Sequence, residues 1–180
     1  MGRIHLVTGG ARSGKSDFAR RLCEDMAGPR VFIATCPVLD EEMRDRVERH
    51  RKERAAGGWA MVEEQVKVAE AIREAQSAAV VLVDCLTLWI NNLMYAAEQK
   101  GWLLSDEDMV ERCRELLAAG RAHPGDVVLV TNEVGMGIVP ENTAARMFRD
   151  LAGRANQVMA AGGDRVTILV AGLPVELKKP

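Results

Sequence analysis

The chain of 180 residues has little net charge and few aromatic side chains. Its formal net charge is −2, and aromatic residues make up only 4% of it. This balance provides no overall basic field for nucleic acid and no acidic tail of the kind found in disordered proteins. Apolar residues account for 48% and charged residues for 28%, as in ordinary globular proteins. We therefore expect one domain over residues 1–180 with no nucleic-acid partner.

Long apolar runs are also missing. The longest, such as AAVVLV, are far shorter than the roughly 20 residues that a membrane-spanning helix needs. The N-terminal segment MGRIHLVTGG enters a strand pattern without the apolar stretch of a signal peptide. The sequence therefore predicts a cytoplasmic protein with no membrane span.

Cysteine is sparse, and no Cys-x-x-Cys pair occurs. The four cysteines are Cys23, Cys36, Cys85 and Cys113. Their wide spacing argues against a zinc site, and a reducing compartment disfavours disulfides. We expect small, buried or half-buried apolar residues at these positions.

Five short runs rich in β-branched residues recur along the chain. Each is nearly continuous in apolar residues, as expected of a strand buried on both faces of a parallel sheet. The runs cover residues 3–8, 30–35, 79–85, 126–131 and 165–172. Helical patterns separate them over 15–26, 40–55, 64–77, 87–99, 106–121 and 141–162. This alternation predicts an α/β fold with a mostly parallel central sheet flanked by helices.

The segment GGARSGKS lies between the first strand and the first helix and matches the P-loop pattern G-x-x-x-x-G-K-[ST]. Backbone amides of such a loop surround phosphate oxygens, and the positive end of the following helix favours the same anion. Lys15 would reach the β- and γ-phosphates, and the Ser16 hydroxyl would ligate Mg²⁺. The expected nucleotide-binding residues are Gly9, Gly10, Ala11, Arg12, Ser13, Gly14, Lys15 and Ser16. The pattern predicts a P-loop NTPase-like fold.

An acidic residue that binds the metal ion together with Ser16 is expected at the end of another apolar strand. The run VVLVDC supplies Asp84 at such a position. Asp84 would hold Mg²⁺ through a water molecule and so neutralise charge as a phosphoryl group moves. Alternatively, Asp84 only caps the helix that begins with TLWI. The expected metal ligands are therefore Ser16 and Asp84.

The segments that follow the strands should share the edge of the sheet where ligands bind. In one of them, NEVGMGIVPEN, Glu133 stands at a strand end. Its carboxylate could accept a proton from a substrate hydroxyl, hold a substrate side chain, or only satisfy loop amides. Gly135 and Gly137 would let the backbone approach a bulky substrate or turn sharply.

The helix expected after this segment carries three arginines. Arg146, Arg149 and Arg154 lie among apolar residues. They form a solvated basic face, a subunit contact or a phosphate contact. No role is assigned to Asn156 and Gln157, which follow.

Four blocks of the sequence resemble the bifunctional adenosylcobinamide kinase/adenosylcobinamide-phosphate guanylyltransferase family of cobalamin biosynthesis. The blocks are GGARSGKS, IATCPVLDEEMRDRVERHRKER, VDCLTLWINNL and TNEVGMGIVPENTAARMFRDLAGRANQ. They extend from about residue 4 to about residue 172. The sequence departs from the family pattern at Ala55, where a proline is frequent after Arg54, and at Asp84, where some members have glutamate.

The resemblance implies two reactions. ATP or GTP first donates its γ-phosphoryl group to the aminopropanol hydroxyl of adenosylcobinamide. GTP then delivers GMP to that phosphate through a guanylylated histidine, giving adenosylcobinamide-GDP and pyrophosphate. The guanylylated histidine of the family matches His50. The expected catalytic residues are therefore His50, Lys15 and Glu133. Mg²⁺ is the expected cofactor, and Arg54 is expected to bind the nucleotide. The family also associates into trimers.

The residues themselves support His50 only in part. On the expected helix over 40–55, Met43, Val47, His50 and Arg54 fall on one stripe. A neutral imidazole there could attack an α-phosphorus and form a phosphoramidate. From the residues alone, a packed histidine without chemistry is the favoured alternative, and the resemblance shifts the interpretation to a reactive one.

The residues that follow His50 and the other two histidines have simpler interpretations. Arg54 is either a bidentate phosphate donor or a solvated cation at a helix end. Gly57 and Gly58 form either a hinge for the His50 helix or an ordinary loop. We expect His5 to be packed within the first strand and His123, before PGD, to be solvated.

Two other function classes fit parts of the sequence. A different small-molecule P-loop kinase would use Lys15, Ser16 and Asp84 without a covalent histidine. A regulatory GTP switch would usually carry an Asn-Lys-x-Asp segment at a strand end, where this chain has TNEV. Both function classes agree less well with the sequence than the two reactions implied by the family resemblance.

Overall fold

A computed structural model describes residues 2–37 and 57–179. Seven strands of the described residues form one sheet. The strands are β1 (Ile4–Gly9), β2 (Arg30–Ala34), β3 (Trp59–Glu63), β4 (Val80–Asp84), β5 (Asp126–Val130), β6 (Arg165–Val170) and β7 (Leu173–Lys178). Their order is β3-β2-β4-β5-β1-β6-β7. All neighbouring pairs are parallel except β6 and β7, so the expected mostly parallel sheet is confirmed.

Helices connect the strands. In the described part of the chain they are α1 (Lys15–Glu24), α2 (Val68–Glu74), α3 (Leu86–Glu98), α4 (Asp106–Ala122) and α5 (Thr143–Gly162), with a 3₁₀ turn at Val134–Met136. The helix expected over 64–77 is shorter, because the Glu64 carboxylate accepts hydrogen bonds from the amides of Val66 and Lys67 and holds them in a turn. The helix expected over 40–55 lies outside the described residues.

Strands β3 and β7 form the two edges of the sheet and were not predicted from the sequence. Edge strands need not be buried on both faces, so their apolar patterns are weaker. The apolar run of β3, WAMV, is four residues long, and β7, LPVELK, has no continuous run. In β3, buried Trp59 is followed by exposed Ala60. Every residue of β7 is exposed, and Pro174 lacks a donor for a ladder. The segment GLPVE at residues 172–176 therefore belongs to a hairpin turn and a strand.

Alternate residues of the central strands face two separate cores. Leu6, Val83 and Leu129 join one core with α2, α3, α4 and α5. Val7 and Val130 join the other, which contains Ala19 and Cys23 of α1. Helices therefore cover both faces of the sheet, and the strand ends carrying polar residues meet at one edge.

The cysteines behave as small apolar residues. Cys23, Cys85 and Cys113 are buried, Cys36 is half-buried, and none of these four described residues is in a disulfide bond. Burial raises the pKa of the Cys23 and Cys113 thiols to about 12, so both stay protonated near neutrality. In residues 2–37 and 57–179, no helix has the length and apolar character needed to cross a membrane.

Candidate active site

The P-loop joins β1 to α1 at the centre of the sheet. Its curvature depends on Gly9 and Gly14, with φ of 152° and 88°, and on Arg12 with φ of 56°. A Cβ atom at Gly9 would lie 2.6 Å from the Leu169 carbonyl oxygen. Only glycine fits there, since such contacts and angles exclude larger residues. The loop therefore closes tightly before α1 begins.

Two polar side chains lie inside this loop. Lys15 is only 8% exposed, and its Nζ donates a 3.1 Å hydrogen bond to the carbonyl oxygen of Gly10. The buried Ser13 Oγ has no hydrogen-bond partner among the described residues. A buried hydroxyl without a partner costs free energy unless a ligand satisfies it. The loop thus has the character of an anion site.

Ser16 and Asp84 supply hard oxygen atoms next to the loop. Ser16 is exposed in the first turn of α1, which packs against β4, and half-buried Asp84 ends β4. One hydroxyl and one carboxylate suit Mg²⁺, which prefers oxygen ligands and usually binds few protein groups together with substrate phosphates. In the described ranges, no cluster of three or more His, Cys, Asp or Glu side chains suited to a metal occurs. The residue in the N-cap position of α3 is Cys85 rather than Asp84.

Hydrogen bonds fix the strand end that carries Asp84. The Thr35 hydroxyl, just after β2, accepts from the Cys85 amide and donates to the Cys85 carbonyl, both over 2.8 Å. Asn92 of α3 donates to the Thr35 carbonyl over 2.8 Å. The ends of β2 and β4 are therefore held in one arrangement beside Asp84.

Glu133 follows β5, the strand between β4 and β1. Its amide donates to the Gly9 carbonyl over 3.1 Å, so it lies directly beside the start of the P-loop. Its Oε1 accepts from the Thr8 hydroxyl over 2.6 Å and from the Asn156 Nδ2 over 3.1 Å. The side chain is half-buried. A carboxylate thus stands next to the phosphate-binding loop with one oxygen anchored.

The neighbouring Asn132 attaches the same strand end to α3. Its amide and its Nδ2 both lie 3.0 Å from Oγ1 of Thr87, in the first turn of α3. Its carbonyl oxygen accepts from Asn156 over 3.0 Å. The end of β5 is consequently tied to both α3 and α5.

The arginines of α5 have partners that the sequence analysis did not foresee. Arg146 donates to the carbonyl oxygens of Pro140 and Glu141, and Arg149 donates to that of Gly135 over 3.3 Å. Both therefore fasten the loop after Glu133 to the helix. Arg149 also lines an open groove of about 740 Å³ between α4 and α5. Lining residues with side-chain charges are Asp106, Glu107, Arg114, Arg149, Asp150 and Arg154.

The structure brings most of the predicted site together and leaves part of it untested. Gly9 to Ser16, Asp84 and Glu133 lie at the carboxyl edge of the sheet, on adjacent strands. His50 and Arg54 lie outside the described residues. Gly58, at the start of the second described range, has φ of 76° in a turn.

One histidine prediction is confirmed and one is wrong. His5 is packed, with its Nε2 atom 2.8 Å from the Thr167 hydroxyl. His123 is not solvated, because it is only 1% exposed. Its Nδ1 lies 3.0 Å from the Gly125 amide and its Nε2 lies 2.9 Å from the Ala75 carbonyl. The His123 side chain therefore joins the turn after α4 to the end of α2.

Comparisons with known proteins agree with this geometry. The family model of CobU, described as cobinamide kinase / cobinamide phosphate guanyltransferase, matches residues 5–177. The bifunctional adenosylcobalamin biosynthesis protein CobU of Escherichia coli strain K12 is 41% identical over 180 residues, covering 96% of this chain and 98% of that protein. The bifunctional adenosylcobalamin biosynthesis protein CobP of Pseudomonas aeruginosa is 40% identical over 174 residues, with 96% of each chain covered.

Solved structures with low sequence identity share the fold. A prototypical ATPase from the type III secretion system of pathogenic bacteria has a TM-score of 0.59 at 10% identity, over 98% of this chain and 57% of that one. The RadB recombinase has a TM-score of 0.51 at 16% identity, over 93% of this chain and 74% of that one. These likenesses show that the fold is that of P-loop NTPases.

Proposed function

Because the chain belongs to the cobinamide kinase / cobinamide phosphate guanyltransferase family, we propose that it is a transferase with two specific reactions. In the first, ATP or GTP phosphorylates the aminopropanol hydroxyl of adenosylcobinamide. In the second, GTP transfers GMP to adenosylcobinamide phosphate, giving adenosylcobinamide-GDP and pyrophosphate. The observation that carries the kinase reaction is the position of Glu133, whose backbone amide donates to the Gly9 carbonyl and so places its carboxylate beside the P-loop.

In the kinase reaction, the substrate oxygen forms a bond to the γ-phosphorus while the bond to the nucleoside diphosphate breaks. Lys15 and the loop amides hold the phosphates and offset the negative charge of the transferring group. Mg²⁺, held by Ser16 and Asp84, would supply further charge neutralisation when bound. Glu133 accepts the proton that the substrate hydroxyl loses.

In the guanylyl transfer, His50 acts as the nucleophile. Its imidazole nitrogen bonds to the α-phosphorus of GTP as pyrophosphate leaves, and a phosphate oxygen of adenosylcobinamide phosphate then displaces the imidazole. A neutral imidazole suits this reaction, because its nitrogen is nucleophilic near pH 7 and is a good leaving group once protonated. Arg54, one helical turn after His50 on the expected helix, would donate to the phosphates. Two arguments support these roles: the family resemblance, and the separation of His50 and Arg54 by one turn on the expected helix.

Labelled GTP and one substitution test the two reactions together. GTP labelled at the α-phosphate should leave an acid-labile, base-stable adduct on the protein. His50→Asn should lose this adduct and the guanylyl transfer while it keeps the kinase reaction. Equal loss of both reactions would mean that His50 has a structural role, and retained transfer would overturn the covalent intermediate. A wild-type protein that forms no adduct but phosphorylates adenosylcobinamide would instead be a kinase alone.

We further propose that the protein forms the homotrimer that its family resemblance implies. The exposed edge strand β7 is compatible with association, since Leu173, Val175 and Leu177 leave apolar surface in solvent. Light scattering at several protein concentrations tests this state. A monomer at every concentration would contradict it.

A further inference from the structure

We propose that Asn156 is a positioning residue for the kinase reaction. Together with Thr8, it holds Oε1 of Glu133 so that Oε2 is the oxygen that takes the proton of the substrate hydroxyl. This inference rests on the proposed function, in which Glu133 is the base. It adds a role for a helix residue that need not touch either substrate.

Two donors converge on one oxygen of the carboxylate. The Thr8 hydroxyl donates to Oε1 of Glu133 over 2.6 Å, and Nδ2 of Asn156 donates to the same oxygen over 3.1 Å. Within residues 2–37 and 57–179, the hydrogen bonds of the Glu133 side chain all go to Oε1. No donor from the described part of the chain takes up the lone pairs of Oε2, and we assign these lone pairs to the substrate hydroxyl. Hydrogen bonds to an ionised group are stronger than neutral ones, so the pair of donors fixes the carboxylate plane.

The orientation of the Asn156 amide follows from its own partners. Oδ1 accepts from the Thr131 hydroxyl over 2.8 Å, and Nδ2 donates to the Asn132 carbonyl over 3.0 Å as well as to Glu133. A flipped amide would place an acceptor against a carbonyl and a carboxylate, so the partners permit one orientation. The side chain is 8% exposed on the buried stripe of α5. Every polar atom of the amide is thus used to hold the end of β5.

The two donors come from two different secondary-structure elements. Thr8 belongs to β1, which leads directly into the P-loop, and Asn156 belongs to α5, which packs against α3 and α4. The distance between the base and the phosphates is consequently set by packed strands and helices rather than by loop conformation. Proton transfer needs the acceptor within hydrogen-bond reach of the reacting hydroxyl, so a small rotation of the carboxylate would lower turnover.

Matched variants separate positioning from folding. Asn156→Asp keeps the shape but replaces the donor with an oxygen that repels Glu133. Gln157→Glu makes the same chemical change on the exposed neighbouring residue. We expect Asn156→Asp to lower the kinase kcat about 10-fold or more with KM values for ATP and adenosylcobinamide within about 2-fold of wild type. Gln157→Glu should change neither parameter.

Two variants of Thr8 provide a second test in case Asn156→Asp does not fold. Thr8→Val removes the hydroxyl with little change of shape, and Thr8→Ser keeps the hydroxyl. We expect kcat to fall about 10-fold in Thr8→Val and to stay within about 3-fold of wild type in Thr8→Ser. Equal thermal midpoints of the two variants would show that the difference is not one of folding. Equal kcat values in the two variants would overturn the role of the hydroxyl.

Combination with Glu133→Gln distinguishes this inference from the proposed function. Glu133→Gln alone should lower kcat about 100-fold, and adding Thr8→Val or Asn156→Asp should then lower it less than about 2-fold further. Retained activity in Glu133→Gln would reject Glu133 as the base, and the positioning role with it. Two results would reject only the positioning role, provided that Glu133→Gln is inactive. In the first, Thr8→Val and Asn156→Asp have the kcat of the wild type. In the second, they lower kcat by the same factor whether residue 133 is glutamate or glutamine.

Discussion

The backbone amide of Gly172 donates a 3.1 Å hydrogen bond to the carbonyl oxygen of Ser13, so the turn of the last hairpin is attached to the P-loop. This turn consists of Ala171 and Gly172, because Val170 pairs with Leu173. Both turn residues have positive φ, 52° and 82°, as in a type I′ turn. The hairpin therefore supports the phosphate-binding loop from outside the parallel part of the sheet.

The alanine in this turn should limit stability. Alanine pays a steric cost at positive φ, whereas Asn-Gly is the preferred pair for a type I′ turn. Ala171→Asn should raise the free energy of unfolding by about 0.5–1 kcal/mol, and Ala171→Val should lower it by about 1 kcal/mol. Urea denaturation of the three proteins measures both changes. Equal destabilisation by asparagine and valine would show that φ does not decide the effect.

Two adjacent glycines of the P-loop should differ in their tolerance of alanine. A Cβ atom at Gly9 would lie 2.6 Å from both the Leu169 carbonyl oxygen and the Ser13 Oγ, whereas one at Gly10 would meet nothing within 4 Å. Gly9→Ala should lower the free energy of unfolding by roughly 1–3 kcal/mol. Gly10→Ala should change it by less than about 0.5 kcal/mol.

Nucleotide affinity provides a second readout for the same pair. Because Gly9 sets the direction of the loop, we expect Gly9→Ala to weaken ATP binding about 10-fold or more, as measured by calorimetry. Gly10→Ala serves as the control for folding. Wild-type stability and affinity in Gly9→Ala would mean that the loop relaxes around the added methyl group.

The P-loop could be predicted from the sequence because its residues are contiguous. Gly9 to Ser16 carry their chemistry in eight consecutive positions between a strand and a helix. Asp84 and Glu133 were also predictable, since each follows a buried run and the ends of parallel strands meet at one edge. For such residues, local pattern and fold class together were sufficient.

The support of Glu133 could not be predicted in the same way. Thr8 and Asn156 are far apart in the chain, and their contact with Glu133 depends on β1 lying beside β5 and on the rotation of α5. A signal for Asn156 was present, because it is a polar residue on the stripe of Leu151, Ala152, Ala155 and Met159. His123 was misjudged for a related reason, since a histidine before a turn can be buried by distant carbonyls.

Substitution of Asp84 should change the metal dependence of the kinase reaction. Asp84→Asn keeps the shape of the side chain and removes the charge that would hold Mg²⁺. We expect the Mg²⁺ concentration for half-maximal activity to rise about 10-fold or more. Asp17→Asn is a matched control, because this carboxylate lies in the first turn of α1 but its side chain is 76% exposed. An unchanged Mg²⁺ dependence in Asp84→Asn would assign Asp84 a structural role.

Buried His5 should make the fold sensitive to acid. Burial, assisted by the positive charge of Arg165, lowers the pKa of His5 from the ordinary value of 6.5 to about 4. Between pH 6.5 and about 4, His5 binds a proton in the unfolded chain but stays neutral in the folded chain. The free energy of unfolding therefore falls as the pH decreases from about 6.5, and it levels off below about 4. Because each pKa unit is worth about 1.4 kcal/mol, His5 alone should lower the free energy of unfolding by about 3 kcal/mol over this range.

The variant His5→Gln isolates this contribution. Glutamine does not titrate but can still hydrogen-bond to the Thr167 hydroxyl, which lies 2.8 Å from Nε2 in the wild type. The free energy of unfolding should be measured in urea at several pH values between 4 and 7.5. Other titrating groups contribute equally to both proteins, so the free energy of unfolding of the wild type minus that of the variant should decrease by about 3 kcal/mol as the pH falls from 7.5 to 4. Parallel curves would mean that His5 takes up its proton equally well in the folded chain, and that its burial does not exclude the charge.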